Sequence, residues 1–113
     1  MMTTKSFAQA MVDGLSLSLD SDPTILVIGR GLTGHGPEAE AEKALYQKHA
    51  ARISDPPTSE GVTASVGIGA AMAGARPFVH FGTSCFAFEA WNQIVNEAGN
   101  AHFMSNCQMK VPV

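Results

Sequence analysis

Charged side chains are scarce in this 113-residue chain, since Asp, Glu, Lys and Arg together make up only 15% of it. The formal charge of −3 is small, and the seven Lys and Arg residues form no basic patch that could neutralise nucleic-acid phosphates. No apolar run is long enough to cross a bilayer. These absences argue against a nucleic-acid-binding or membrane-spanning protein. The 45% hydrophobic content is typical of a folded domain rather than a disordered tail.

Cysteine is equally rare, because Cys85 and Cys107 are the only two and no C-x-x-C motif is present. This excludes a disulfide framework, and two reduced thiols are expected. The four histidines are scattered without ligand spacing, so the sequence predicts no structural zinc site and no metal ligands. Residues 1–14 lack the apolar core of a signal peptide and the arginine content of a transit peptide, which predicts a cytoplasmic location.

Helical and extended patterns alternate along the chain. The apolar run 24–28 is rich in β-branched residues and is typical of a strand buried on both faces of a parallel sheet. Further strands are predicted at 52–54, 78–81 and 109–113, and helices at about 4–20, from Pro37 to His49, from Glu60 to Gly74 and over 86–98. This order predicts an α/β fold, an open parallel sheet with helices on both faces.

A glycine-rich segment, Gly29–Gly34, follows the first predicted strand and fits the pattern G-x-G-x-x-G. In dinucleotide-binding folds such glycines let the backbone approach a pyrophosphate at a helix start, and Asp55 lies near the distance expected for a ribose-binding acid. However, His35-Gly36-Pro37 delays the next helix beyond the glycines. Two interpretations stay open: a loop between strand and helix, or a nucleotide-binding module.

Glu60 begins a helix that is otherwise almost wholly apolar and rich in small residues. A helix with no polar face is predicted to be buried, and its small residues would let neighbouring backbones approach closely. Thr58 or Ser59 can cap this helix, and Gly74 can end it. The residues alone leave Glu60 with two interpretations: a carboxylate that favours the helix dipole, or an acid placed at the edge of a buried surface.

Several ordered motifs resemble the β-subunits of 2-oxo acid dehydrogenase E1 components, of the pyruvate dehydrogenase E1 β type. They are Asp55-Pro-Pro-Thr-Ser-Glu60, residues 67–74 with Arg76-Pro77, residues 86–98, and Met104-Ser105 before Val111-Pro112-Val113. The resemblance implies that residues 1–113 form the N-terminal part of a transketolase-like pyrimidine-binding domain. Because the family's subunits continue well beyond this length, we expect a truncated chain that is inactive alone.

This resemblance also implies a cofactor, thiamine diphosphate, bound between subunits of a heterotetramer with two α- and two β-chains. The α-subunit holds the diphosphate through Mg²⁺, and the β-subunit holds the aminopyrimidine. Glu60 matches the family glutamate that hydrogen-bonds a pyrimidine nitrogen and activates the cofactor, and Phe86 matches the aromatic residue that packs against the ring. Ordinary core packing is the alternative for Phe86. The implied reaction is oxidative decarboxylation of a 2-oxo acid, with the acyl group passing to a lipoyl-bearing E2 partner.

Three questions stay open at this point. His80 aligns with a frequent family glutamate and is either a partly buried strand residue or part of the site. Pyruvate, branched-chain 2-oxo acids and acetoin all remain candidate substrates, with the mitochondrial matrix as the predicted location in a eukaryote. A non-catalytic assembly fragment is the alternative to an enzyme subunit.

Overall fold

The computed structural model describes residues 4–29 and 39–113, and its centre is a three-stranded sheet. Strand β1 (Ile25–Gly29) lies between β2 (Ile53–Ser54) and β3 (Arg76–His80), and both pairings are parallel. Parallel neighbours require crossover connections, which helices supply here. The helices are α1 (Phe7–Ser21), α2 (Ala39–His49), α3 (Glu60–Met72) and the short α4 (Asn100–Met104). The predicted open parallel α/β fold is confirmed.

One face of the sheet packs against α1 and α2. Val27 and Phe78 are register partners on β1 and β3, and Val27 is fully buried. Together with Ile53 they meet Leu19 of α1 and Leu45 of α2 in one apolar cluster. Successive side chains of a strand alternate between faces, so this cluster uses every second residue of β1 and β3.

The other face packs against α3. Val79, the residue after Phe78, directs its Cγ2 methyl at Gly67 in the middle of α3. A second apolar cluster lies on this side, formed by Ala64 and Ile68 of α3 with Ala90. Because both faces are covered, the central strand is nearly all apolar, as the sequence predicted.

The ends of α3 follow from local sequence. Ser59 has extended backbone angles, and its Oγ accepts a hydrogen bond from the Val62 N–H at 3.4 Å, so Ser59 is the N-cap. At the other end Gly74 has a φ of 98°, a conformation that favours glycine. The Gly74 N–H donates to the Ala71 carbonyl and the next N–H donates to the Ala70 carbonyl, which satisfies the last turn.

The helix predicted over 86–98 is present as a helical run that begins at Ser84, but its helical type changes along the run. The chain forms a 3₁₀ segment, Ser84–Ala90, then a π-helical segment, Gln93–Gly99, and then α4. Ala90, Ile94 and Ala98, each four residues apart, all pack toward α3. The contact with α3 is thus kept along this whole helical run, across the change from one helical type to the next.

A strand at 109–113 was also a wrong prediction, because these residues have no strand pairing. Val111 instead packs against the cluster around Ala64, and a methyl of Val113 lies 3.9 Å from the position that a Cβ on Gly67 would take. Pro112 has no N–H to donate to a sheet ladder. This segment thus lies against α3 and does not extend the sheet.

Within this single chain, α3 is buried on one side only. Thr63, Ala64, Gly67, Ile68 and Ala71 are buried, but Val62 and Val66 on the outer side are 50% and 47% exposed. One side of α3 is thus buried within the chain, and the other apolar side is exposed to solvent. Among the residues that the structure describes, no helix is long and apolar enough to cross a membrane.

Candidate functional site

The carboxyl ends of the strands form the edge at which the candidate residues gather. β1 ends at Gly29 and β3 ends at His80, and these two residues are register partners. α3 begins a few residues after β2, and the 3₁₀ segment begins a few residues after β3. In open parallel sheets, ligands bind outside this edge, at the point where the strand order reverses. The order β2-β1-β3 places that point between β1 and β3.

Glu60 is the first residue of α3 and is partly buried. The preceding Ser59 fixes the start of the helix, since its carbonyl accepts hydrogen bonds from both the N–H and the Oγ1 hydroxyl of Thr63, each at 2.9 Å. Within residues 4–29 and 39–113, no hydrogen bond or ion pair occupies the Glu60 carboxylate. The structure therefore presents a partly buried Glu60 on a fixed helix start, with its carboxylate open to a ligand.

Phe86 lies in the 3₁₀ segment and is 46% exposed, so it is outside both buried clusters. The Phe86 N–H donates to the Thr83 carbonyl at 3.2 Å, which closes the first turn of the segment. Ala90, at the far end of the segment, is fully buried against Ala64 of α3. This contact joins the element that carries Phe86 to the element that carries Glu60, and it leaves the Phe86 ring accessible.

The sequence interpretation overlooked Gln93, whose carboxamide lies over Gly61, the residue after Glu60. A Cβ on Gly61 would be 3.6 Å from Nε2, 3.8 Å from Cδ and 3.9 Å from Oε1 of Gln93. The Oε1 atom is buried and has no hydrogen-bond partner in the described part of the chain. The sequence held one indication of this contact: Gln93 directly precedes Ile94, an apolar residue of the side that packs against α3.

His80 lies on the other side of the sheet from α3. Its ring stacks on Phe78, with the centroids 6.4 Å apart and the planes at 17°, and Phe78 belongs to the cluster shared with α1 and α2. His80 is partly buried and is engaged in an interaction of its own. The structure thus brings the 3₁₀ segment with Phe86 against α3, and places the His80 ring on the opposite face.

The first glycine of the glycine-rich pattern has a structural explanation. A Cβ on Gly29 would lie 2.0 Å from the His80 carbonyl oxygen, so β1 and β3 approach closely only because position 29 has no side chain. The other glycines of the pattern, Gly31 and Gly34, lie outside the described residues. Asp55, the candidate ribose-binding acid, is exposed just after β2. Within the described ranges, no three His, Cys, Asp or Glu side chains are grouped as a metal site.

The parallel sheet, the carboxylate at a helix start and the accessible aromatic ring define an α/β protein with a candidate ligand site at the carboxyl edge. No protein-family model matches the chain. It is 34% identical over 93% of its length to the pyruvate dehydrogenase E1 component subunit beta of Chaetosphaeridium globosum, covering 32% of that protein. It is 34% identical over 99% of its length to the same subunit of Rhizobium meliloti, covering 25%, and 35% identical over 93% to the chloroplastic subunit beta-3 of Arabidopsis thaliana, covering 26%.

These similarities confirm the resemblance seen in the motifs. The chain belongs to the family of pyruvate dehydrogenase E1 β-subunits. It spans between about a quarter and a third of the length of these relatives.

Proposed function

We propose that this chain is part of a 2-oxo acid dehydrogenase E1 subunit of the β type and forms the aminopyrimidine-binding half of a thiamine diphosphate site. The observation that carries the proposal is Glu60, a partly buried residue at the start of α3 whose carboxylate has no partner among the residues that the structure describes. The family supports the same assignment, because the relatives are named as E1 component β-subunits.

Glu60 fits the aminopyrimidine through its chemistry. A carboxyl group can share a proton with a ring nitrogen, and partial burial strengthens such a hydrogen bond relative to water. Ser59 and Thr63 fix the helix backbone that carries Glu60, so the point from which its side chain extends is set. Glu60 would therefore bind the ring nitrogen and hold the proton there. When bound, thiamine diphosphate supplies the nucleophilic carbon and the electron sink that decarboxylation of a 2-oxo acid needs.

Phe86 fits the flat face of the same ring. Stacking of two aromatic rings contributes about 0.5–1.5 kcal/mol beyond the burial of area, and it also fixes the ring plane. The 3₁₀ segment is anchored by Ala90 at one end, so Phe86 can offer its exposed ring on a rigid support. Phe86 would therefore orient the aminopyrimidine and exclude water from one of its faces.

The remaining parts of the site would come from partners. We propose that an α-type subunit holds the diphosphate and Mg²⁺, that a second β-type chain completes a heterotetramer, and that a lipoyl-bearing E2 receives the acyl group. The open apolar side chains on α3 and the following segment support such an assembly, since Val62, Val66 and Trp91 are all about half exposed. The corresponding location would be the cytoplasm of a bacterium or the interior of an organelle.

Titration of the assembled complex tests this proposal. The complete polypeptide that carries this chain is co-expressed with an α-type subunit and titrated with thiamine diphosphate and Mg²⁺ in a calorimeter, with NAD as the comparison ligand. We expect saturable binding of thiamine diphosphate, together with decarboxylation of pyruvate or a branched-chain 2-oxo acid, or with carbon–carbon cleavage of acetoin. Saturable binding of NAD alone would favour the nucleotide-binding module, and assembly without turnover would favour a non-catalytic fragment.

A further inference from the structure

Gln93 makes a contact with the candidate site that the family resemblance did not supply. All three terminal atoms of its side chain, Cδ, Oε1 and Nε2, lie within 4 Å of the place that a side chain on Gly61 would occupy. A side chain at position 61 would therefore meet this carboxamide directly. Gly61 directly follows Glu60, so the contact is made on the same helical turn.

The polar groups of this turn complement the Gln93 side chain. The first N–H groups of an α-helix have no carbonyl partner inside the helix, and Ser59 serves only the N–H of Val62 with its hydroxyl. The N–H groups of Glu60 and Gly61 therefore need other acceptors. The buried Oε1 of Gln93 is an acceptor with no donor among the described residues, and it lies over this turn.

The backbone of Gln93 is fixed by its neighbours. Ile94 and Ala98 of the same π-helical segment pack against the cluster of Ala64 and Ile68 on α3. The packing of the π-helical segment on α3 therefore also places the side chain of Gln93 at the start of α3. π-helical turns are uncommon and occur often at functional sites.

We propose that Gln93 is a positioning residue for Glu60, whose carboxamide braces the first turn of α3. The proposal rests on the function given above. In this role the Gln93 carboxamide turns so that its Oε1 accepts a hydrogen bond from an N–H of this turn, and this bond holds the start of α3, and with it Glu60, toward the aminopyrimidine. Gln93 itself touches neither substrate nor cofactor.

Hydrogen exchange of the assembled complex without cofactor tests the brace directly. Gln93→Met keeps the length of the side chain and removes its polar atoms, whereas Gln93→Glu keeps the acceptor. A negative charge near a helix N-terminus is also tolerated. We expect Gln93→Met to raise exchange at residues 60–62 by about tenfold, as the loss of one hydrogen bond implies, and Gln93→Glu to restore it to within about threefold. Asn96→Met, on an exposed position of the same segment, is the matched control and should change nothing.

Turnover of the loaded complex supplies the second measurement. Because Gln93 acts through Glu60, Gln93→Met should lower kcat about tenfold with little change in the KM for the 2-oxo acid, and Gln93→Glu should recover most of kcat. Unchanged exchange at 60–62 in Gln93→Met, or equally faster exchange along all of α3, would overturn the proposal. The exchange measurement needs no cofactor, so a failure to bind thiamine diphosphate would count against the proposed function and not against the brace.

Discussion

A methyl group of Val79 occupies the space in which a side chain on Gly67 would lie, because a Cβ at position 67 would be 2.3 Å from Cγ2 of Val79. This close contact fixes the distance between α3 and the sheet. It therefore also fixes the position of Glu60, the first residue of α3, relative to the carboxyl ends of the strands. It gives the small residues of α3 a specific purpose, which is close approach to β3.

Gly67→Ala should therefore destabilise the chain. Overpacking costs about 1–3 kcal/mol and the better helix propensity of alanine returns about 1 kcal/mol, so the free energy of unfolding should fall by up to about 2 kcal/mol. Urea denaturation measures this change. Gly69→Ala is the matched control, since nothing lies within 4 Å of its Cβ position, and it should leave stability unchanged or raise it. If both variants behave alike, the contact with Val79 is not what seats the helix.

The Arg52 side chain links the C-terminal end of α1 to the C-terminal end of α2 through hydrogen bonds. Its guanidinium donates to the carbonyl oxygens of Leu19 at 2.6 Å and Asp22 at 3.0 Å, and it lies 3.0 Å from Nδ1 of His49. A lysine ammonium cannot reproduce this forked geometry, so Arg52→Lys should lower the free energy of unfolding by about 1.5–3 kcal/mol. Arg76→Lys should cost under about 1 kcal/mol, because among the described residues the Arg76 side chain has only a largely exposed ion pair with Asp22. Equal losses in thermal unfolding would contradict the account of Arg52.

Stability should also depend on pH through Asp20. The hydrogen bond from Lys48, with smaller contributions from the charges of His49 and Arg52, lowers the pKa of the Asp20 carboxyl below its ordinary value. A lowered pKa in the folded state gives stability that is complete above the unfolded pKa of about 3.9 and is lost as pH falls through the folded value. Asp20→Asn should flatten the fall in stability below about pH 4, measured by urea denaturation across that range. An equally steep fall in Asp20→Asn and in the unaltered chain would contradict this account of Asp20.

Local patterns predicted the parts of the fold that depend on neighbours in sequence. The strand through Val27, the Ser59 cap and the Gly74 terminator each follow from residue type within a few positions, and all three are confirmed. Glu60 and Phe86 came from the family motifs, and the structure places their elements in contact at one edge of the sheet.

The errors involve contacts between residues distant in sequence. No pattern within residues 84–104 indicates the π-helical segment, although its Ile94 and Ala98 both pack toward α3. Met109–Val113 has the composition of a strand but packs on α3 through Val111. Gln93 was overlooked for the same reason, since its contact with Gly61 joins positions 32 residues apart.

Phe86→Ala should weaken cofactor binding more than it weakens folding. Loss of ring stacking of about 0.5–1.5 kcal/mol corresponds to a rise of roughly two- to tenfold in the Kd for thiamine diphosphate. Phe86 is already 46% exposed, so its removal leaves no core cavity and thermal stability should change little. Phe88→Ala is the control two positions away, where the ring packs on Trp91 instead. If the Kd rises for Phe88→Ala and not for Phe86→Ala, the ring that stacks on the cofactor is not Phe86.

The most direct test of the central claim is the turnover of Glu60→Gln in the complete β-type subunit assembled with its α-type partner. Glutamine keeps the size of the side chain but cannot share a proton with a ring nitrogen as a carboxyl group does, and loss of a proton-transfer group typically costs about 10²–10⁴-fold in rate. We predict at least a hundredfold fall in kcat with assembly intact, and no such fall for Glu97→Gln, an exposed acid of the π-helical segment. A Glu60→Gln complex with full kcat would show that Glu60 does not activate the cofactor.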